Sequence, residues 1–485
     1  CGDGELLAAI GRGHPGAELV GFDLDPVAVD AARERLPGAV IEQGDFIEVG
    51  ETLRAGSFDV IITNPPYVRT QVLGGPTAAR LSARFGLRGR IDLTHPFVAM
   101  APRLLVDGGV LGVLCSNRFL TTRAGGNVRE LLTSNFRVGE VFDLGDTRLF
   151  EAAVLPAVVI AVKGAGESVA RYASAYQSDG EGVGGDLFAA LTDDHASTVA
   201  VNGRVFEVSV GTLAHGGGHP WRLSTPDRER RLSGIAARTW KTVGEVARIR
   251  VGIKTTADPV FIGDHWDTLA PDRTPEPELL RPLLTHEDIR AWEAPEPPRL
   301  RVLYPYLDQH RRQVIDLEAY PGAAAYLGLH RERLEARAYL ARARREWFEI
   351  WVPQRPASWR GPKIVFPDIS PEPRFTIDRS GAIVNGDCYW ISVDELGGDD
   401  MAWLVLGVAN SSFGTRFYDD VCGNRLYAGR RRWITQYVAR LPLPDPDLPA
   451  AREVVRLARG LGEALEPDGL ALLDEAVRVA FGGVE

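Results

Sequence analysis

Over the first 165 residues short apolar runs alternate with helical stretches, and this alternation restricts the chain to an α/β fold, a doubly wound sheet with helices on both faces. Glu5–Gly11 starts a helix, Ala17–Leu24 is a strand ending in acids, and Pro26–Leu36 is a helix with proline in its first turn. Val40–Phe46 is the next strand. Phe58–Thr63 reads as a buried strand that runs straight into Asn64-Pro65-Pro66-Tyr67, followed by a glycine- and arginine-rich loop over Leu73–Arg90. A helix over Leu93–Leu105 and strands over Val110–Cys115, Val138–Leu144 and Val154–Val162 complete the pattern.

At 485 residues the chain exceeds one ordinary core. The βα rhythm ends near Lys163, which sets a first domain of residues 1–165. Ser178–Asp186 is rich in Gly, Asp and Ser, and Gly216–Gly218 is a glycine run, so residues 166–239 read as loops and a linker. Residues 240–445 gain tryptophan, proline and arginine and read as a separate domain of mixed α+β structure. Residues 446–485 form a helical tail, with Val454, Leu457 and Leu461, then Leu470, Leu473 and Val477, at helical spacing. The longest apolar runs, Val158–Val162 and Ala402–Ala409, are too short for a membrane span, so no membrane role is expected. Cys1, Cys115, Cys388 and Cys422 lie far apart, which fits a reduced, cytoplasmic protein without disulfides or a zinc site. The chain starts within Cys1-Gly2-Asp3-Gly4, with no methionine and no leading strand, as expected of a fragment cut inside a motif.

Asn64-Pro65-Pro66-Tyr67 carries the most chemistry. It stands where a catalytic loop belongs, at the carboxyl end of a strand in an α/β sheet. An aryl amine is a poor nucleophile because its lone pair is delocalised into the ring. The Asn64 side-chain oxygen and the Pro65 carbonyl are acceptors for its two N–H bonds, and holding those hydrogens out of plane localises the lone pair for attack on a sulfonium methyl. Pro65 and Pro66 stiffen the loop in advance, and Tyr67 offers a face on which an extruded base stacks. Upstream, Gly2 and Gly4 open a helix and let a cofactor approach the backbone. Asp23, at the end of the following strand, suits a ribose diol. Asp45 and Phe46 close the third strand with a carboxylate for an adenine amino group and a ring for its face.

This series resembles the gamma-class adenine-specific DNA methyltransferases of the TaqI type, including the methylase modules of restriction-modification enzymes. The resemblance continues through Asp92–Phe97, Gly108–Asn117 and Val141–Lys163, and matches Phe150 to the second base-stacking aromatic. In the C-terminal half, Gly252-Ile253-Lys254-Thr255-Thr256, Asp288-Ile289-Arg290, Trp347, Pro362–Pro367, Ala409-Asn410-Ser411-Ser412, Arg425 and Leu441-Pro442-Leu443-Pro444 resemble that family's target-recognition domain, which has Gly more often where Thr256 stands. The resemblance implies a Rossmann-like class I methyltransferase sheet, S-adenosylmethionine as cofactor, N6 of a flipped adenine as acceptor, and double-stranded DNA as partner. It also implies an endonuclease, fused upstream or encoded separately.

The net charge of −10 does not favour nucleic acid, so contact must come from local clusters. Arg425, Arg430, Arg431 and Arg432, interleaved with aromatics, are the expected DNA contacts; Arg331, Arg333, Arg337, Arg342, Arg344 and Arg345 read as a solvated helix face. No metal is expected: His215-Gly216-Gly217-Gly218-His219 has no third ligand near it, and His95 reads as a loop or packing residue. A methyltransferase for RNA or a protein glutamine amide, and a non-catalytic DNA-recognition module, stay open as alternatives.

Overall fold

Residues 1–66, 74–147, 155–164, 166, 169–214, 220–307, 313–422, 429–464 and 466–483 are described in the computed structural model. They divide into two units, Cys1–Pro226 with Cys422–Gly429, and Asp227–Val421 with Arg430–Glu485.

In the first unit, β1 (Val20–Asp23) and β2 (Val40–Gln43) form a parallel pair. The helix Pro26–Arg35 connects them. Its proline sits in the first turn, Asp25 caps it by accepting the Val27 amide at 2.9 Å, and its Val29 and Ala32 are buried with Ile41. The remaining strands are β3 (Phe58–Thr63), β4 (Leu105–Ser116), β5 (Phe136–Asp143), β6 (Pro156–Lys163), β7 (Arg171–Ser178), β8 (Val183–Gly184), β9 (Ser197–Val201), β10 (Arg204–Ala214) and β11 (Arg222–Ser224). They make a nine-stranded sheet in the order β3-β4-β6-β5-β7-β10-β9-β8, with β11 on β10. β3 is parallel to β4, and β6 is antiparallel to both β4 and β5, so β3, β4 and β5 point the same way.

The helices Thr94–Leu104 and Gly126–Asn135 bury Val98, Ala101, Val128 and Leu132 with Leu111, Val113 and Val141 of the strands. Leu187 and Leu191, from the helix Leu187–Thr192, pack instead with Ala173, Ala175, Phe206 and Val208. Tyr172 belongs to the first core and Ala173 to the second, so successive residues of β7 serve opposite faces. The expected α/β sheet with helices on both faces is present.

Four local expectations are corrected. Residues 166–239 are not loops and linker: β7 to β11 extend the sheet, and the helix Pro226–Arg238 follows. The strand Arg171–Ser178 was hard to read because its buried positions include Ala173 and Ala175, small residues depleted from strands generally. Within 73–90, residues Gly75–Phe85 form a helix that buries Ala78 and Leu81 and ends at left-handed Gly86. β3 is half-buried rather than buried: among the described residues it is the end strand of its sheet and pairs only with β4. Finally, β2 stops at Gln43, and Phe46 begins the helix Phe46–Thr52.

The second unit holds two four-stranded sheets. One runs in the order Arg250–Val251, Cys388–Ser392, Lys363–Pro367, Thr376–Asp378. The other runs Ile262–Gly263, Arg301–Leu303, Leu280–Leu284, Ile383–Val384. Its core includes Trp266, Trp359, Trp390, Tyr304 and Tyr326. The helices Pro449–Glu463 and Pro467–Ala480 account for the expected helical tail, and Pro449–Glu463 packs on Asp399–Asn410 within this unit. Among the described residues no helix is long and apolar enough to cross a membrane.

Lys363 stands directly across from Asp378, their charges 2.5 Å apart and both side chains inaccessible to solvent. Ser380 also donates to Asp378, through its amide at 3.0 Å and its hydroxyl at 2.6 Å. Breaking such a pair leaves a bare buried charge, whereas replacing both partners with apolar groups does not. Lys363→Met is therefore expected to lower stability by about 3–5 kcal/mol, and Lys363→Met with Asp378→Leu to recover most of it, read from urea unfolding. Equal losses in the single and double variants would show that the pairing is not what the Lys363 substitution removes.

Candidate functional site

The chain's first turn uses two residues in the left-handed region, Gly2 at φ 57° and Gly4 at φ 83°. A Cβ on Gly4 would also lie 3.2 Å from that of Ala32, so backbone and space both require glycine. Asp23, the last residue of β1, fastens this turn. One carboxylate oxygen accepts the Gly2 amide at 2.8 Å and the other the Asp25 amide at 3.0 Å. The Asp23 carbonyl accepts the Gly44 amide at 2.8 Å, which ties the end of β1 to the end of β2.

Asp45 follows at once and caps the helix Phe46–Thr52, accepting the Ile47 amide at 2.9 Å. It thus has a structural task beside the one expected of it. The Phe46 ring lies 6.5 Å from Phe22 and 5.0 Å from Phe97. Four of the expected cofactor residues, Gly2, Asp23, Asp45 and Phe46, are therefore linked through strand ends, and Gly4 holds the turn's shape. Phe97 stands in the sequence only within a matched stretch; its helix, Thr94–Leu104, carries it to Phe46.

Thr63 ends β3 opposite Val113 of β4, and the loop begins there, with Asn64 exposed, Pro65 buried and Pro66 exposed. Tyr67, Phe150, Arg425 and the His215–His219 pair fall outside the described residues. At the corresponding ends of β4 and β5 stand Asn117 and Asp143, which the sequence reading holds only inside matched stretches and does not single out. Asp143 is 3% exposed and accepts from Asn117 Nδ2 at 2.9 Å, Tyr176 at 2.7 Å, Tyr172 at 3.3 Å and the Gly145 amide at 3.2 Å. Burial pushes its carboxyl up, against the opposing pull of these donors. An acid closing an apolar strand, the signal used for Asp23, would have found it. His95 is a buried helix residue rather than a loop residue, its Nε2 3.8 Å from Asp92, and burial holds its pKa down. Among the described residues no three His, Cys, Asp or Glu side chains gather as a metal site.

The expected DNA-contact arginines are partly spent elsewhere. Arg431 makes two bonds to Asp419, at 2.7 and 2.8 Å, and Arg432 two to Asp368, at 3.1 and 2.6 Å, while Arg430 is exposed. Both paired arginines form a short strand on Ile369–Ser370. Of the matched C-terminal residues, Asn410 pairs with Phe375 as a strand would, accepting its amide at 2.9 Å and donating to its carbonyl at 2.8 Å.

Because the fold binds the Asp143 proton more tightly than the unfolded chain does, the stability from that proton is complete below the ordinary value of 3.8 and is lost as pH rises through the raised folded value. Asp143→Asn is expected to flatten this part of the stability profile, measured by urea unfolding at a series of pH values. An unchanged slope would mean that Asp143 does not titrate abnormally.

A family profile described as Eco57I restriction-modification methylase matches residues 34–150. Type II methyltransferase M.BanIII of Aneurinibacillus aneurinilyticus is 35% identical over 497 residues, covering 95% of this chain and 86% of the relative. M.XhoI of Xanthomonas vasicola is 29% identical over 401 residues, covering 80% and 68%. The fold is similar to that of the type IIL restriction-modification enzyme MmeI, solved in complex with DNA, with a TM-score of 0.61 at 14% identity; the match covers 94% of this chain and 60% of that one. The glycine turn clamped by Asp23 and the Phe46 ring beside it are suited to a nucleoside cofactor, and the long, near-complete similarity to M.BanIII settles the family: this chain belongs to the type II methyltransferases of restriction-modification systems, DNA methyltransferases whose cofactor is S-adenosylmethionine.

Proposed function

We propose that the chain methylates N6 of an adenine rotated out of duplex DNA, as a gamma-class enzyme of the TaqI type. The observation that carries this reading is Asn64-Pro65-Pro66 leaving the end of a strand co-directional with β4 and β5, in the same unit as the Asp23-clamped glycine turn. When bound, S-adenosylmethionine supplies an electrophilic methyl group. Gly2 and Gly4 let its backbone-facing side approach, Asp23 accepts from the ribose hydroxyls, Asp45 accepts from the adenine amino group, and Phe46 lies against the adenine ring. The Asn64 side-chain oxygen and the Pro65 carbonyl accept the two hydrogens of the target amine and draw them out of the ring plane. Tyr67 and Phe150 stack on the extruded base. Residues 240–445 read the DNA sequence, and Arg425 and Arg430 join the phosphate contacts that Arg431 and Arg432 can make only beside their carboxylate partners. An endonuclease of the same specificity, fused or separate, completes a cytoplasmic restriction-modification pair.

The decisive test is transfer from labelled S-adenosylmethionine to unmethylated bacterial DNA, with single-molecule sequencing of the product; N6-methyladenine at one recurring sequence is expected. Labelling of RNA or of a protein amide in place of DNA would overturn the reading. Asn64→Ala is expected to abolish transfer while leaving duplex affinity within about twofold, since the loop acts on the amine and not on the phosphates. Asp23→Ala is expected to weaken S-adenosylmethionine binding by about tenfold or more, the worth of a charge-assisted hydrogen bond, in calorimetry; unchanged binding would remove Asp23 from the cofactor site.

A further inference from the structure

Between Arg331 and Arg360 the second unit carries eight arginines against four glutamates, within a chain of net charge −10. The structure sorts five of these arginines into two kinds. Arg331 pairs with Glu335 at 2.7 Å and lies over the Trp347 ring. Arg337 is buried and donates to the carbonyls of Leu334, Thr255 and Trp347 at 3.1, 3.0 and 2.6 Å. Arg345 bonds Glu349 at 3.0 Å and the Trp351 carbonyl at 2.7 Å. These hold the framework. Arg342 and Arg344 are exposed, as is Lys254, and among the described residues no ion pair engages any of the three.

The framework brings together the chain segments that carry them. Lys254 and Val352 exchange amide–carbonyl bonds, both 3.0 Å, which sets Lys254 beside Trp351. The Tyr339 hydroxyl bonds that of Thr256, and the Tyr339 ring stands edge-on to Trp351 with centroids 4.9 Å apart. Trp351 is 38% exposed although two aromatic or cationic neighbours flank it. Thr256, Arg344 and Gln354 all hold left-handed backbone, at φ 60°, 53° and 62°. Such conformations in residues with a Cβ cost about 1–3 kcal/mol each and persist where the surroundings over-determine them, commonly at binding surfaces. Of the acids nearby, Glu335 and Glu349 are occupied by arginines and Asp258 by the Thr255 hydroxyl, while Glu332 and Glu346 are exposed.

We propose that this surface, Lys254, Thr256, Tyr339, Arg342, Arg344 and Trp351, grips duplex DNA in the second unit. The three cations take backbone phosphates, and Trp351 lies against deoxyribose. Charge complementarity selects the partner: exposed cations that no ion pair engages among the described residues, set about an aromatic face, suit a polyanion whose repeat carries both phosphate and a sugar ring. The inference rests on the DNA-methylating function proposed above and moves the main contact away from Arg431 and Arg432.

The test is fluorescence anisotropy of the full chain on a short duplex across a salt series, run beside methyl transfer to genomic DNA. Replacing Lys254, Arg342 and Arg344 by Ala together is expected to weaken binding tenfold or more and to reduce the log–log salt slope by about 3, one unit per lost phosphate contact. Trp351→Ala is expected to lower affinity with the slope unchanged. Arg459→Ala, which removes an exposed arginine paired with Asp400, is the control and should change neither. A triple variant with wild-type affinity and slope, in a protein that methylates DNA, overturns this surface alone. A wild-type protein that neither binds nor methylates duplex DNA removes the functional reading and this surface together.

Discussion

β6 runs antiparallel between β4 and β5, and the edge of the first unit that carries the candidate site is arranged around that reversal. On either side of it β4 and β5 keep the direction of β3, and helices carry the chain back from β3 to β4 and from β4 to β5. Three strand ends then face one edge, and each delivers a polar residue there: Asn64 after β3, Asn117 after β4, Asp143 at the end of β5. Hydrogen-bonding groups at such an edge need not break a ladder to point outward, because the ladder has ended. The chain has placed its polar chemistry where backbone pairing no longer competes for it.

The elements that were legible in the sequence are those whose signals are local. The helix Pro26–Arg35 has a proline at its start and an aspartate cap, and β4 to β6 have runs of branched residues, so neighbours in sequence sufficed. The strand Arg171–Ser178 was not legible, since its burial comes from β5 and β10 on either side of it and not from its own alanines. Asp23 was legible because an acid at a strand end has a local meaning; Phe97 was not, because its relation to Phe46 exists only once a helix and a strand end meet. Lys363 posed the same problem, as nothing near it in sequence shows that Asp378 lies across the strand.

The arginines divide along the same line. Arg431 and Arg432 looked free because no acid stands near them in sequence, yet Asp419 and Asp368 reach them from other elements. Arg342 and Arg344 looked like one more solvated helix face, with glutamates at helical spacing. In the structure Glu335 serves Arg331 and Glu349 serves Arg345, and the helices there are short, Arg331–Glu335 and Ala338–Arg342, broken by residues that no longer share a face. Charge density along a sequence is therefore a weaker guide to a polyanion surface than the set of cations left over after the interior pairs are made.

The pair formed by Lys363 and Asp378 has a consequence for alignment. They face each other across two antiparallel strands, flanked by Ile364 opposite Ile377 and Val365 opposite Thr376. Sliding one strand by a single position would set Lys363 against Ile377 or Arg379 and leave two charges unmatched in an apolar layer. An all-apolar pair of strands would lose far less by the same slip. The two charges act as a key that admits one alignment, so loops hung from these strands can differ widely in length and composition while the frame that carries them keeps its place.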